Sequence, residues 1–95
     1  MARLGDSAID ERLAGMQWRR DGDSIVRDVD CEGFRGAMAL ANAVADAADA
    51  ANHHPDILVH GYKHVRFTLA THSEGGITES DFALAAMIDG LIGDA

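Results

Sequence analysis

Ninety-five residues, 47 % hydrophobic and 25 % charged, fit one ordinary globular unit over 1–95 rather than a disordered chain. A formal charge of −8 with eight scattered Lys and Arg works against direct nucleic-acid binding, which needs a concentrated positive surface, and no apolar run reaches membrane-spanning length. The first residues lack the apolar core of a secretory signal, and Cys31 has no second cysteine to pair with, so a reducing, cytoplasmic compartment is expected.

Ser7 and Asp10 have the spacing of a capping box, with Ile9, Leu13 and Met16 following at helical intervals. This predicts a first helix over about 7–15, closed by Gly15. Residues 17–30 read as a hairpin around Asp21-Gly22. Ile25, Arg27 and Val29 share one face of its second strand, Val26 and Asp28 the other, and Trp18 is expected to anchor the first strand in the core. Asp30 is the expected cap of the longest helix, about 31–51. Its apolar stripe is Phe34, Ala37, Met38, Ala41, Val44, Ala45 and Ala48. Pro55 disfavours helix at His54, so His53 and His54 fall where that helix gives way to a strand.

Residues 56–60 form a strand candidate, Gly61 a turn, and 62–72 the most regular strand. Val65, Phe67 and Leu69 face one side of it; His64, Arg66, Thr68, Ala70 and His72 face the other. Thr78 with Asp81 makes a second capping box, opening a final helix over 79–92 that carries Phe82, Leu84, Ala85, Ile88 and Leu91. The order α-β-β-α-β-β-α, with tight turns between paired strands, predicts an α+β fold: a single antiparallel four-stranded sheet with its helices packed on one face. A core this small makes association between copies a natural way to bury more surface.

Five histidines are present, and three of them stand out. His60 and His64 flank a turn on a strand of mixed polarity, which reads as solvated surface. If the last two strands pair around Gly61, His53 and His54 come near Thr71 and His72, and three imidazoles share one region. Imidazole titrates near neutrality, so such a group suits proton transfer: loss or addition of water, isomerisation, tautomerisation. Asp49, one helical turn before His53, can supply a carboxylate. Two other readings stand beside this one: a chance surface grouping, and a zinc or iron site from three histidines with Asp49 or Asp56. Adjacent histidines rarely point at one ion, which weighs against a metal. Cys31, at a helix start but far in sequence from the histidines, reads as structural.

The run "NHHPD", then a strand carrying Tyr62 and Val65, then "LATH", "GGIT" and Asp81, closely resembles the pterin-4a-carbinolamine dehydratases. The likeness extends from Trp18 through "ALANAVADAADAANHHPD" to "THSEGGITESDFALAAMID". It implies a small α+β fold forming homodimers or homotetramers. It also implies a hydro-lyase that needs no cofactor or metal and converts 4a-hydroxytetrahydropterin to quinonoid dihydropterin, in tetrahydropterin recycling after an aromatic amino acid hydroxylase. By resemblance the active-site histidines fall on His53, His54 and His72; our own expectation is that His53 and His72 provide the acid and base while His54 binds and orients the pterin. Asp49, where relatives usually have Glu, biases the protonation of the pair; Asp49, Asn52, Pro55, Thr71 and Asp81 are the implied substrate contacts. Two departures fall on the implied pocket wall: Ile57 replaces a common Trp, and the stretch from Pro55 to Tyr62 is longer than the vertebrate pattern. The family also contains binding modules, which stabilise a transcription-factor dimer or assist Rubisco assembly, and a binding role of that kind is the alternative expectation.

Overall fold

The structure, a computed structural model, describes residues 2–93, so the outermost residues of the expected 1–95 unit lie outside the described residues. Three helices and four strands follow the expected order: α1 (Asp6–Leu13), β1 (Arg19–Asp21), β2 (Ser24–Asp30), α2 (Gly33–Ala51), β3 (Asp56–His60), β4 (His64–Leu69) and α3 (Glu79–Ile92), with a short 3-10 turn at His72–Glu74. The sheet is antiparallel throughout, in the spatial order β1-β2-β4-β3. Alternation of apolar and polar residues sets its faces. Ile25, Val65, Phe67 and Leu69 are buried with Ile9, Trp18, Val44, Phe82, Leu84 and Ile88 between sheet and helices. Among the described residues no helix is long and apolar enough to cross a membrane.

Arg27 shares the inward face of β2 with Ile25, and it is buried. Its Nη1 donates to Asp89 Oδ1 on α3 at 2.6 Å, and the indole N–H of Trp18 donates to the same oxygen at 2.8 Å. A charge inside the core is tolerated because a carboxylate and a hydrogen bond meet it there. Trp18 therefore anchors the start of β1 as expected, through its N–H as well as its ring.

Several local expectations are corrected. Ser7 does not cap α1: the helix begins at Asp6 with Gly5 as its N-cap and no side-chain cap, and Gly15 (φ +80°) lies just past its end. Asp30 ends β2 instead of capping α2, whose N-cap is Glu32 without a side-chain bond. The inward stripe of α2 is Ala37, Val44 and Ala48 with Leu40 beside them. Phe34 (55 % exposed), Met38 (39 %) and Ala45 lie roughly a quarter turn away, facing outward. The alanines permit close approach, but the sheet takes the narrower face. The last strand stops at Leu69, not at residue 72, because Thr71 leaves the ladder to bridge Gly76.

Candidate active site

The end of α2 is built from its last residues. Asn52 adopts a left-handed conformation (φ 51°, ψ 40°), its N–H bonds the carbonyl of Asp49, and the His53 N–H bonds the carbonyl of Ala48 at 3.1 Å. This pair of bonds is a Schellman motif, and Asn is one of the few non-glycine residues that accept its backbone geometry. The turn brings the His53 ring inward and sends His54 outward before Pro55 leads into β3.

Across the site, α3 opens with the expected capping box: the Ser80 N–H donates to Thr78 Oγ1 at 3.2 Å and the Thr78 N–H to Asp81 Oδ2 at 2.9 Å. The Asp81 carboxylate is 0 % exposed and has two further contacts. Thr71 Oγ1 donates to Oδ2 at 2.8 Å, and His53 Nε2 lies 2.6 Å from Oδ1. Thr71 and Thr78 hydroxyls are themselves 2.8 Å apart. Thr71 spends its one proton on Asp81, so Thr78 donates to Thr71. A carboxylate accepts only, and its partners here are an N–H, a hydroxyl and an imidazole. His53 thus donates from Nε2 and, in the neutral ring, carries its lone pair on Nδ1.

The loop holding Thr71 is closed by backbone. Thr71 N–H bonds the Gly76 carbonyl at 2.9 Å, and the N-terminal segment joins it where the Leu4 N–H bonds the Ile77 carbonyl at 2.7 Å. Arg3 covers Gly76, where a Cβ would come within 3.2 Å of its Cδ. The side chain of His53 is 17 % exposed, a ring reachable from solvent yet tethered from behind.

The sequence-predicted residues therefore fall into three places. His53, Thr71 and Asp81 form one hydrogen-bonded unit. His54 and Asp49 form a second, exposed pair with Nε2 and Oδ1 3.0 Å apart. Asp49 serves His54 and not His53, because the left-handed turn at Asn52 swings His54 back over the last helical turn. His72 is exposed in the 3-10 turn directly after Thr71, and among the described residues its side chain has no hydrogen bond to either histidine. Asn52 sits at the helix end and Pro55 half-buried at the entry to β3. Thr78 is the member of the network that sequence reasoning read only as a cap; its place two residues after Gly76 was the available signal. Among the described residues, no three His, Cys, Asp or Glu side chains are grouped to hold a metal ion.

In this α+β fold a buried carboxylate tethers a half-open histidine, an arrangement chemically able to hold or move a proton. The family model described as pterin 4 alpha carbinolamine dehydratase matches residues 2–91, and the chain belongs to that family. It is 46 % identical over 93 residues to an Acidobacterium capsulatum protein named for pterin-4-alpha-carbinolamine dehydratase, covering 97 % of this chain and 100 % of the relative. A protein of the same name from Thermomicrobium roseum is 49 % identical over 86 residues, covering 90 % and 91 %. Among solved structures, the transcriptional coactivator/pterin dehydratase of Brucella melitensis superposes with a TM-score of 0.89 at 32 % identity, over 96 % of this chain and 99 % of that one. A pterin dehydratase-like protein identified as a RuBisCO assembly factor in the alpha-carboxysome superposes at 0.70 and 25 % identity, over 85 % and 95 %.

Proposed function

We propose that this chain dehydrates 4a-hydroxytetrahydropterin to quinonoid dihydropterin by histidine acid–base catalysis, in the recycling of tetrahydropterin downstream of an aromatic amino acid hydroxylase. The observation that carries the reading is the His53–Asp81 pair: a solvent-reachable imidazole 2.6 Å from a carboxylate with no exposed surface. The reaction needs no covalent intermediate. A proton reaches the 4a oxygen, the C4a–O bond breaks with loss of water, and the N5 proton leaves as the C4a=N5 double bond forms. His53, with its Nδ1 lone pair, and His72, on the loop beside Thr71, divide the roles of base and acid. His54, steadied by Asp49, orients the pterin together with Asn52 and Pro55. Thr71 and Asp81 are better read as holding His53 than as touching substrate, because Asp81 is buried and fully engaged.

The test follows decay of freshly generated 4a-hydroxytetrahydropterin by ultraviolet absorbance. The parent accelerates it, and His53→Ala and His72→Ala each lower kcat by roughly 100-fold or more, the scale of a lost general acid or base. Rates within a few-fold of the parent in both variants would overturn the scheme.

Homo-oligomerisation belongs to the same proposal. Phe34 and Met38 on the outer face of α2, and the free edges of β1 and β3, support it. Light scattering that gives a monomer mass at micromolar concentration would exclude it. A binding role is the second reading, favoured by the structural likeness to a RuBisCO assembly factor. It gains ground if the folded chain leaves the carbinolamine's decay unchanged.

A further inference from the structure

The hairpin joining β3 to β4 carries two imidazoles that the proposed reaction does not use. His60 and His64 are the last register pair of that hairpin, directly opposite across Gly61, Tyr62 and Lys63. Residues so paired project from the same face with Cβ atoms about 5 Å apart. Their ring centroids are 5.4 Å apart, with planes inclined by 34°. A divalent ion sits about 2.0–2.1 Å from an imidazole nitrogen and so roughly 3 Å from the ring centre; two rings sharing it near the tetrahedral angle have centroids about 5 Å apart. The observed separation matches that span.

The contact of His64 with Asp30 sets which ring nitrogen of the neutral imidazole is open to an ion. His64 Nδ1 lies 2.5 Å from Asp30 Oδ1, and with the ring donating there, a neutral imidazole presents its lone pair at Nε2. Carboxylate, imidazole and ion in that order is the outer-shell arrangement that orients metal-binding histidines. The ring lies against Gly61 (φ +53°), where any Cβ would stand 2.7 Å from His64 Cδ2. Nearby cations have other partners: Lys63 Nζ is 6.0 Å from the centre of the Tyr62 ring, and Arg66 Nε donates to Asp28 at 2.7 Å. The chain's charge of −8 favours approach of a cation.

We propose that His60 and His64 form a two-imidazole site for a divalent transition-metal ion of the copper or zinc type, with Asp30 fixing His64 from behind. Water completes the coordination, so the ion exchanges readily. The site is separate from His53 and independent of the dehydratase reading. Imidazole ligands and the general order of divalent affinities make Cu2+ the tightest probe and Zn2+ a weaker one.

The experiment titrates the full chain with CuCl2 and, separately, ZnCl2 by calorimetry in a non-coordinating buffer. Histidine ring resonances are followed in parallel during substoichiometric Cu2+ addition. Expected are one Cu2+ per chain, tighter than Zn2+ by about tenfold or more, and broadening of His60 and His64 before the other histidines. His60→Ala and His64→Ala should each weaken Cu2+ at least tenfold, with Asp30→Asn weakening it by about tenfold as an outer-shell loss. Circular dichroism of the exposed-site variant His60→Ala keeps the test free of folding effects. Parent-like affinity in both histidine variants, or loss of the site in His53→Ala or His54→Ala instead, would overturn the proposal, as would no binding of Cu2+ to the parent.

Discussion

At the scale of single residues, Asp81 has the sharpest consequences, because a carboxylate with no exposure depends on every donor around it. Asp81→Asn keeps the volume but turns an amide N–H toward one of three donors. It should cost about 2–4 kcal/mol in urea unfolding and lower kcat sharply, since His53 loses its fixed tautomer. Thr71→Val removes one hydroxyl donor. Its expected effect is about 1 kcal/mol of stability and a fall in kcat with KM little changed, and Thr71→Ser should recover most of the rate. A parent-like kcat in Thr71→Val would show that the Thr78 N–H alone suffices to hold Asp81. Cys31 gives a check of another kind: burial pushes its thiol up, with the nearby Asp30 adding to the rise. The thiolate is therefore scarcer at neutral pH than in a free cysteine, and iodoacetamide should label the folded chain more slowly than the urea-unfolded chain.

At the scale of elements, the junctions matter more than the interiors. The left-handed end of α2 accepts Asn52→Gly with little loss, whereas Asn52→Val puts a β-branched residue at φ 51° and should destabilise by about 1–2 kcal/mol. A thermal melt separates the two. The tie between β2 and α3 runs through one carboxylate, and Asp89→Ala removes it from a buried guanidinium and from the Trp18 indole at once. That change should cost about 3–5 kcal/mol, while replacing Arg27 and Asp89 together by Met and Leu should cost clearly less. Equal losses in the single and double variants would show that the charge pair is not what holds the helix there.

At the scale of the whole molecule, charge sets the response to acid. On the outer sheet face Asp28 receives Arg66 and Arg19, and the Arg66 guanidinium holds its carboxyl below the usual range against the opposing effect of burial. A folded value below the unfolded one means that the group adds stability above the ordinary carboxylate range and loses it as pH falls through the lowered value. Solvent screens the pair, so the contribution stays below about 1 kcal/mol and shrinks with added salt. Asp28→Asn should therefore narrow the stability gap between pH 7 and pH 3 only slightly, as read from denaturant midpoints at each pH.

Much of this was legible in the chain. Period-2 alternation in 62–72 fixed which side of β4 faces inward, Thr78 with Asp81 fixed the start of α3, and the histidine–proline run marked the end of α2. These signals are local: a pleat, a helix turn and a proline act over a few residues whatever surrounds them. Of the expected α2 stripe Ala37, Val44 and Ala48 face inward, whereas Phe34, Met38 and Ala45 face outward, because alanine is apolar enough for either side and only the packing partners select the face. The caps expected from Ser7 and Asp30 failed for a related reason, since a short polar side chain takes whichever donor the tertiary structure offers, and Asp30 was drawn to His64. By itself the sequence determined the order of elements, the pairing of strands around their turns and the family to which the chain belongs. Only the tertiary structure decided that Asp81 lies behind His53, that Asp49 serves His54 and that Arg27 is buried against Asp89, because each of these contacts joins residues whose meeting depends on how the elements turn and pack together.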